Sequence, residues 1–531
     1  MKKQILIFLS TFIVSASAYS QVMSQRVYQR DSSMAYGGQQ TTDGGFIMGG
    51  LASVTKTNVD FLAIKTNALG DTLWTKTYGG IGDEESYAMQ QTADGGYIFI
   101  GIDSSSGIGN YNVFALKTDA NGDTLWTKSY GGSNYDFGQA VQQTADGGYI
   151  IAGYTGSFSA GGDPDIYLLK ITANGNLTWS KTYGGIYGDK AWAVKQTADG
   201  GYIMAGNTSS FGVTPDGNTN DLFLLKTDAS GTLTWSKAYG KDGDDWGYGV
   251  VQTYDGGFAV TGLSTKGSTD LGSEVFFMKT DANGDTLFTK SFGGGTDYDQ
   301  GVSIIQTNDS GFAIGGQASS FGNGGGDVFL IKTDKTGSLV FNSTFGGAGA
   351  DWTNAIGQTS DTGFVLIGYT NNFGVDSSSF YLVKTDKIGN SYNCNQTNPT
   401  PTIIKGIAII NNAAAVTNTP ATLTANKTNA IIKSGVKIIN PCPTAGIKQA
   451  LYNTTSFVIY PNPGNGNINI KTDDLKANTQ VIIYNQLGQI VLKTSLINQL
   501  TNLNLDVNAG VYQIRILSDN ELVYQTKIIK E

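Results

Sequence analysis

The chain has 531 residues, with 72 glycines, 27 tyrosines, 24 phenylalanines, 9 prolines and 15% charged side chains. That length suits two or more domains, and the composition excludes a disordered chain, which would be apolar-poor and charge-rich. There is no histidine, which excludes Ser-His-Asp hydrolysis, Cys-His chemistry and HExxH metalloproteolysis.

The net charge of −9 is unevenly placed. Residues 19–390 carry 37 acids and 21 bases, a net of −16, whereas the residues beyond 390 carry 6 acids and 11 bases, a net of +5. An acidic body repels phosphates, so nucleic acid is not an expected partner.

Residues 1–18 read MKKQILIFLSTFIVSASA. A basic start, an apolar run and a small-x-small site at Ala16-Ser17-Ala18 describe a signal peptide. No cysteine follows that site, so no lipid anchor is expected, and no other run is long enough to span a bilayer.

From Asp43 a repeat takes over. DGG stands at Asp43, Asp94, Asp146, Asp199 and Asp255, then DSG at Asp309 and DTG at Asp361. The spacings run 51, 52, 53, 56, 54 and 52, the size of a propeller blade and too long for one solenoid coil. The second copy reads as four strands: YAMQQT (87–92), YIFIGIDS (97–104), NVFALKT (112–118) and DTLWTKSY (123–130). Small residues recur in the first strand of the copies (Gly138, Ala140, Ala193, Gly249), which predicts a crowded central axis. Seven copies supply three strands each, but only six supply a fourth. QRVYQRDS (25–32) precedes the first copy and is expected to fill the missing place, closing a ring and leaving few open strand edges.

Nearly all length variation lies between the second and third strands of each copy. Those loops and the loops joining consecutive copies open on one face, and the tight turns lie on the other. Binding is expected on the variable face. The expected fold is all-β, a seven-bladed β-propeller of four-stranded blades over 19–394. A Thr/Asn-rich linker with some strands (395–456) and a small C-terminal β-sandwich (457–531) follow. Cys394 and Cys442 are the only cysteines, and in an exported chain they are expected to pair.

The unit DVFLIKTDKTGSLVFNSTFGG (327–347) resembles the SBBP-type β-propeller repeat of secreted bacterial proteins, a resemblance that implies fold and not activity. The tail FVIYPNPGNGNINI…VIIYNQLGQIVLKT…NAGVYQIRILSDNELVYQTKIIKE resembles the C-terminal sorting domain of the type IX secretion system of Bacteroidota. Its matching residues are Tyr460, Pro461, Asn462, Pro463, Gly466, Gly488, Gly510, Tyr512, Lys527 and Lys530. The resemblance implies recognition by the outer-membrane translocon and delivery to the cell surface or the medium.

Candidate chemistry is weighed against the repeat itself. The DANGD turns offer alternating oxygens, as at Asp119, Asn121 and Asp123, but the Glu that closes a calcium loop is missing and Thr172–Asn176 has no Asp. Plain hairpin turns account for them, so no metal and no cofactor are expected. The same stretch departs from the sialidase Asp-box by one residue. The lysines Lys65, Lys117, Lys170, Lys226, Lys279, Lys332 and Lys384 occur in every copy and are expected to maintain the blade. Six copies carry an acid before the first strand: Glu84, Asp136, Asp189, Asp245, Asp299 and Asp351. A structural bond to loop backbone is the expected role; a carboxylate pair for glycoside hydrolysis is the alternative. Irregular aromatics mark the same loops. Tyr87, Trp192 and Tyr248 share one slot, and Trp246 and Trp352 another. They are the expected ligand platforms, for sugar rings or protein side chains. The favoured reading is a non-catalytic surface binder, followed by a secreted carbohydrate-active enzyme and a purely structural surface protein.

Overall fold

The computed structural model describes residues 24–391 except 31, 56–57, 106–109, 160, 213–216, 242, 266–271, 294–296, 323, 374 and 376. It also describes six short strands between 396 and 439, and residues 457–530 except 461–464, 473–474, 477, 486–488 and 519–520. Residues 1–18, expected to be a signal peptide, and Cys394, Cys442, Pro461, Asn462, Pro463 and Gly488 lie outside the described residues, as does the side chain of Lys527. The chain divides into two compact units, 1–442 and 443–531. The described residues are all-β, with no helix.

The first unit contains seven antiparallel, propeller-like sheets of four strands, joined as up-and-down meanders. In the second sheet the strands are Glu84–Gln91, Tyr97–Asp103, Asn112–Thr118 and Thr124–Gly131. The first strand begins three residues before the sequence reading placed it, because the acid that precedes YAMQQT is itself the first paired residue. In the last sheet Asp351–Gln358, Phe364–Thr370 and Ser379–Thr385 are joined by Ser24–Gln29, which pairs antiparallel with the third strand. Tyr28 confirms its place as a fourth strand. Its hydroxyl donates to Gly70 O at 2.7 Å, as the fourth-strand tyrosines Tyr78, Tyr130 and Tyr239 donate to Gly122, Gly175 and Gly284 at 2.6–2.7 Å.

Third strands are apolar and buried along their whole length, as in Asp327–Thr333. Such strands need cover on both faces. Neighbouring sheets provide it, and each apolar cluster of the unit joins two sheets. Ile150, Leu168 and Tyr183 of the third sheet pack with Val194, Met204 and Phe223 of the fourth. Met48 and Leu62 of the first sheet pack with Val365, Ile367 and Leu382 of the last. Full burial of each such side chain stabilises by roughly 1.5–3 kcal/mol.

A second tie repeats at every sheet boundary. The glutamine ending a first strand accepts a hydrogen bond from a turn N–H of the preceding sheet. The pairs are Gln91 with Thr42, Gln143 with Ala93, Gln196 with Ala145, Gln252 with Ala198, Gln306 with Tyr254 and Gln358 with Asn308, at 2.8–3.0 Å. Gln40 of the first sheet makes the same bond to Ser360 N–H of the last, at 2.9 Å.

Within each sheet the recurring lysine bridges the DGG-type aspartate at 2.7–3.0 Å. Lys226 also donates to Thr227 O at 2.8 Å, and Thr197 Oγ1 donates to Asp199. The lysine thus locks the first turn to the third strand. The turn glycines sit at positive φ, 83° at Gly200, a conformation open to glycine at no steric cost.

After residue 391 the chain turns back along the sheets. Gln396–Thr397 adds to the sixth sheet, Thr402–Lys405 to the fifth, Ala415–Thr417 to the third, Thr422–Thr424 to the second, Ala430–Lys433 to the first and Lys437–Ile439 to the last. Each becomes a fifth strand on an outer edge, so six edges are capped.

The second unit has a three-stranded and a four-stranded sheet sharing one core of Phe457, Ile470, Ile483, Ile514 and Ile528. Gly510–Ser518 shows the alternation of a half-buried strand. Gly466 has φ +99° and accepts from Leu505 N–H at 2.8 Å. Tyr512 Oη donates to Asn508 O at 2.7 Å, and Lys530 Nζ to Leu505 O at 2.9 Å. Tyr460 is exposed.

Candidate functional site

The first strands of all seven sheets line one cavity of about 840 Å³. Each of those strands carries a bulge, and the register skips one residue in each. The skipped residues are Tyr36, Tyr87, Gln139, Trp192, Tyr248, Val302 and Asn354. Every one of them lines the cavity. A bulge re-aims a side chain, so the slot that the repeat leaves variable is the one the backbone turns inward. The space is open, which corrects the expected crowded axis. Gly138 is small for a different reason: a Cβ there would come within 2.5 Å of Ile100 in the adjoining sheet.

Tyr87, Trp192 and Tyr248 therefore sit on the wall, as does Tyr36, which occupies the same slot in the first copy. Trp246 and Trp352 are not among the lining residues. Trp246 stacks behind Trp192, with centroids 5.9 Å apart and planes 13° from parallel. Trp352 stacks on its cross-strand partner Tyr369 at 6.0 Å. The rings form a continuous arc across six sheets. From Tyr369 it passes to Tyr36 (6.4 Å), Tyr87 (5.5 Å), Phe137 (6.4 Å), Tyr154 (4.9 Å) and Trp192 (5.9 Å), then to Trp246 and Tyr248. Val302 and Gln300 interrupt it at the sixth sheet. Tyr154 and Tyr369 come from second strands. They are invisible to an alignment of first-strand slots, although the pairings Phe137–Tyr154 and Trp352–Tyr369 follow from antiparallel register.

The arc's polar atoms are held in place. Trp192 Nε1–H donates to Asn207 at 2.8 Å, and Tyr87 Oη donates to Glu85 at 2.6 Å. Burial pushes the Tyr87, Tyr248 and Tyr154 hydroxyls up, Tyr154 to about 12, so all are neutral donors.

The six acids behave differently. All are buried, and none lines the cavity. Asp136 accepts from Gly132 N–H at 2.8 Å, Asp189 from Gly185 N–H at 2.8 Å and Asp245 from Lys241 N–H at 2.9 Å. Asp299 accepts from Ser319 and Ser320 N–H, Asp351 from Gly347 N–H, and Glu84 from Gly80 N–H. They organise the loop backbone, as the repeat implied. Burial raises Glu84 and Asp245 to about 7, and Asp189 and Asp351 to about 6, against these hydrogen bonds. No cluster of three or more metal-ligating side chains occurs among the described residues.

A second cleft, about 530 Å³, adjoins the arc and shares Phe137 and Tyr154 with it. Its other walls are Ser104, Asn110, Tyr111, Tyr135, Pro164 and Lys190.

Comparison with known proteins bears on the second unit. Residues 458–531 match the family described as the secretion system C-terminal sorting domain. The chain is thus exported to the cell surface or extracellular space, and interacts with the type IX secretion system. No helix among the described residues is long and apolar enough to cross a membrane. No curated protein matches the chain. Among the solved structures that match, two illustrate the similarity, both at low identity. Sqt1 from Chaetomium thermophilum is 9% identical, covering 73% of this chain and 90% of that one, with a TM-score of 0.37. PorZ, a bacterial surface component of the type-IX secretion system of Porphyromonas gingivalis, is 10% identical, covering 96% and 100%, with a TM-score of 0.16.

Proposed function

We propose that the chain is an SBBP-like, closed seven-bladed propeller that binds a glycan outside the cell, without catalysis, through the aromatic mouth of its central cavity. A surface protein ligand is the variant of this reading. In this view residues 1–18 are removed as a signal peptide, 19–394 form the ring and 395–456 form the outer belt. Residues 457–531 form the sorting module. The Gln40–Ser360 bond, the pairing of Ser24–Gln29 with the last sheet and the cluster shared by first and last sheets support a closed ring. A Cys394–Cys442 disulfide would fasten the belt, since its end strands lie on the sixth and last sheets, whose side chains share a core.

The aromatic arc carries the binding reading. Structural features recur in every copy, whereas the inward slot changes from tyrosine to tryptophan, glutamine, valine and asparagine. Stacked, pre-held rings offer the flat apolar faces that pyranose rings cover. Tyr87, Trp192 and Tyr248 would touch ligand, Trp246 would support Trp192, and Trp352 would extend the rim. A glycosidase reading asks two neighbouring acids to face the substrate. Here the acids accept hydrogen bonds from loop backbone and recur in six copies.

The test is a glycan array and a polysaccharide-turnover screen with the full exported chain and a Trp192→Ala, Trp246→Ala, Trp352→Ala variant. Array binding is expected without turnover, with at least a tenfold loss in the variant. Undiminished binding by the variant, or chain cleavage by the parent, would refute the reading.

A further inference from the structure

The second cleft breaks the repeat at three positions together. Tyr111 stands where the other copies have Val59, Pro164, Asn220, Ser273, Gly326 and Ser378. Tyr135 stands where five other copies have Ser32, Asp83, Gly188, Asp244 and Ala350, and only the sixth copy shares the tyrosine, as Tyr298. Lys190 is the one cation in a slot held elsewhere by Met34, Glu85, Phe137, Trp246, Gln300 and Trp352. Three departures from sevenfold regularity meet in one cleft between the second, third and fourth sheets.

The rings there are fixed. Tyr111 and Tyr135 pack on Phe137 at 5.9 and 6.2 Å. Tyr135 also lies over Gly156, where a Cβ would come within 2.9 Å of its ring. Lys190 Nζ sits 5.0 Å from the centre of the Tyr154 ring. It has no carboxylate partner among the described residues, and partial burial alone pulls its pKa down. An ammonium held over an aromatic face and short of water is poised to take an anion. The surrounding body is strongly acidic, so long-range attraction does not bring an anion here. Recognition comes from direct contact, since salt screens attraction over distances beyond about 8 Å.

We propose that this cleft is a subsite for an acidic pyranose: the sugar carboxylate pairs with Lys190, the ring lies on Tyr111, Tyr135 or Phe137, and Ser104 and Asn110 meet its hydroxyls. The walls hold no leucine, isoleucine or valine to anchor a peptide side chain, which favours a saccharide over an acidic peptide. The proposal rests on the glycan-binding reading above and adds the charge of the ligand.

The probe is an oligogalacturonate, compared with its fully methyl-esterified form and with a polyglutamate peptide. The proteins are the full chain and its Lys190→Gln, Tyr111→Ala and Lys335→Gln variants. Lys335 lies in an exposed turn and serves as the control. The acidic oligosaccharide is expected to bind at least tenfold more tightly than the ester, with that preference lost in Lys190→Gln and kept in Lys335→Gln. Tyr111→Ala is expected to weaken binding of both saccharides. Equal binding of acid and ester would overturn the charge assignment and leave the glycan reading standing. Preference for polyglutamate, or no saccharide binding by a chain that melts normally, would overturn both.

Discussion

The two ends of the seven sheets obey different rules. At the turn end every copy repeats the same Lys–Asp bridge, threonine hydroxyl and positive-φ turn position. At the loop end a buried acid repeats, yet three residues further along the strand the side chains change from copy to copy. The contrast separates what holds a sheet from what the sheet presents. Repetition marks positions that each sheet must satisfy for itself. Variation marks a position that only the shared cavity sees.

The two ends also carry opposite proton linkage, and this gives the largest expected effect. Burial raises Asp245 to about 7, so the folded chain keeps a proton there that the unfolded chain releases near pH 4. Stability from this group is full below pH 4 and is lost as pH rises through 7. For Asp245 alone the span is about 4 kcal/mol. At the turn end, burial also pushes Asp146 and Asp199 upward, but bonds from their threonine, lysine and glycine partners win and hold both at about 2. Their contribution is present above pH 4 and lost as pH falls through 2. The melting temperature is therefore expected to peak in mild acid and fall toward pH 8. Asp245→Asn should make the alkaline side shallower, the remainder of its slope coming from Glu84, Asp189 and Asp351, and leave the acid side unchanged. An unchanged alkaline slope in a calorimetric pH series would break the assignment.

The loop-end acids also explain a glycine. A Cβ at Gly240 would come 1.5 Å from Asp221 and 3.1 Å from Asp245. Gly240→Ala is expected to cost about 3 kcal/mol by overpacking, read as a lowered denaturant midpoint. Asp199→Ala probes the other end. It strips the buried Lys226 of its carboxylate and leaves it the bond to Thr227 O. A cost of about 2 kcal/mol is expected, with no change in ligand affinity. The smallest effect belongs to the boundary tie. Gln40→Ala removes the bond to Ser360 and should cost about 1 kcal/mol. Equal costs for Gln40→Ala and Gln143→Ala would indicate that the first–last boundary is as tight as any other.

Much of this was legible in the sequence. The period, four strands per copy, the structural lysines and the backbone-bonding acids all follow from local rules repeated seven times. The inward aim of Tyr87, Trp192 and Tyr248 did not follow, because a bulge changes register without any composition signal of its own. Tyr154 and Tyr369 were missed because their role comes from cross-strand pairing. Trp246 and Trp352 looked equivalent to the wall residues, yet each lies one pleat away and stacks behind or beside them. The strands of 396–439 show no alternation of their own. At two to four residues each, they exist only because an edge is already there to receive them.

That belt has a kinetic consequence. Its pairings reach steadily farther back along the chain, from Thr397 with Thr344 to Ile439 with Val27. Each successive strand docks on an earlier segment of the chain and closes a longer loop, so the belt should zip in one direction and finish last. Chains cut progressively from residue 439 toward 396 should shed the longest-range pairings first. Their bare edges should then show as faster amide exchange, beginning at Ser24–Gln29 and moving next to Thr72–Gly79.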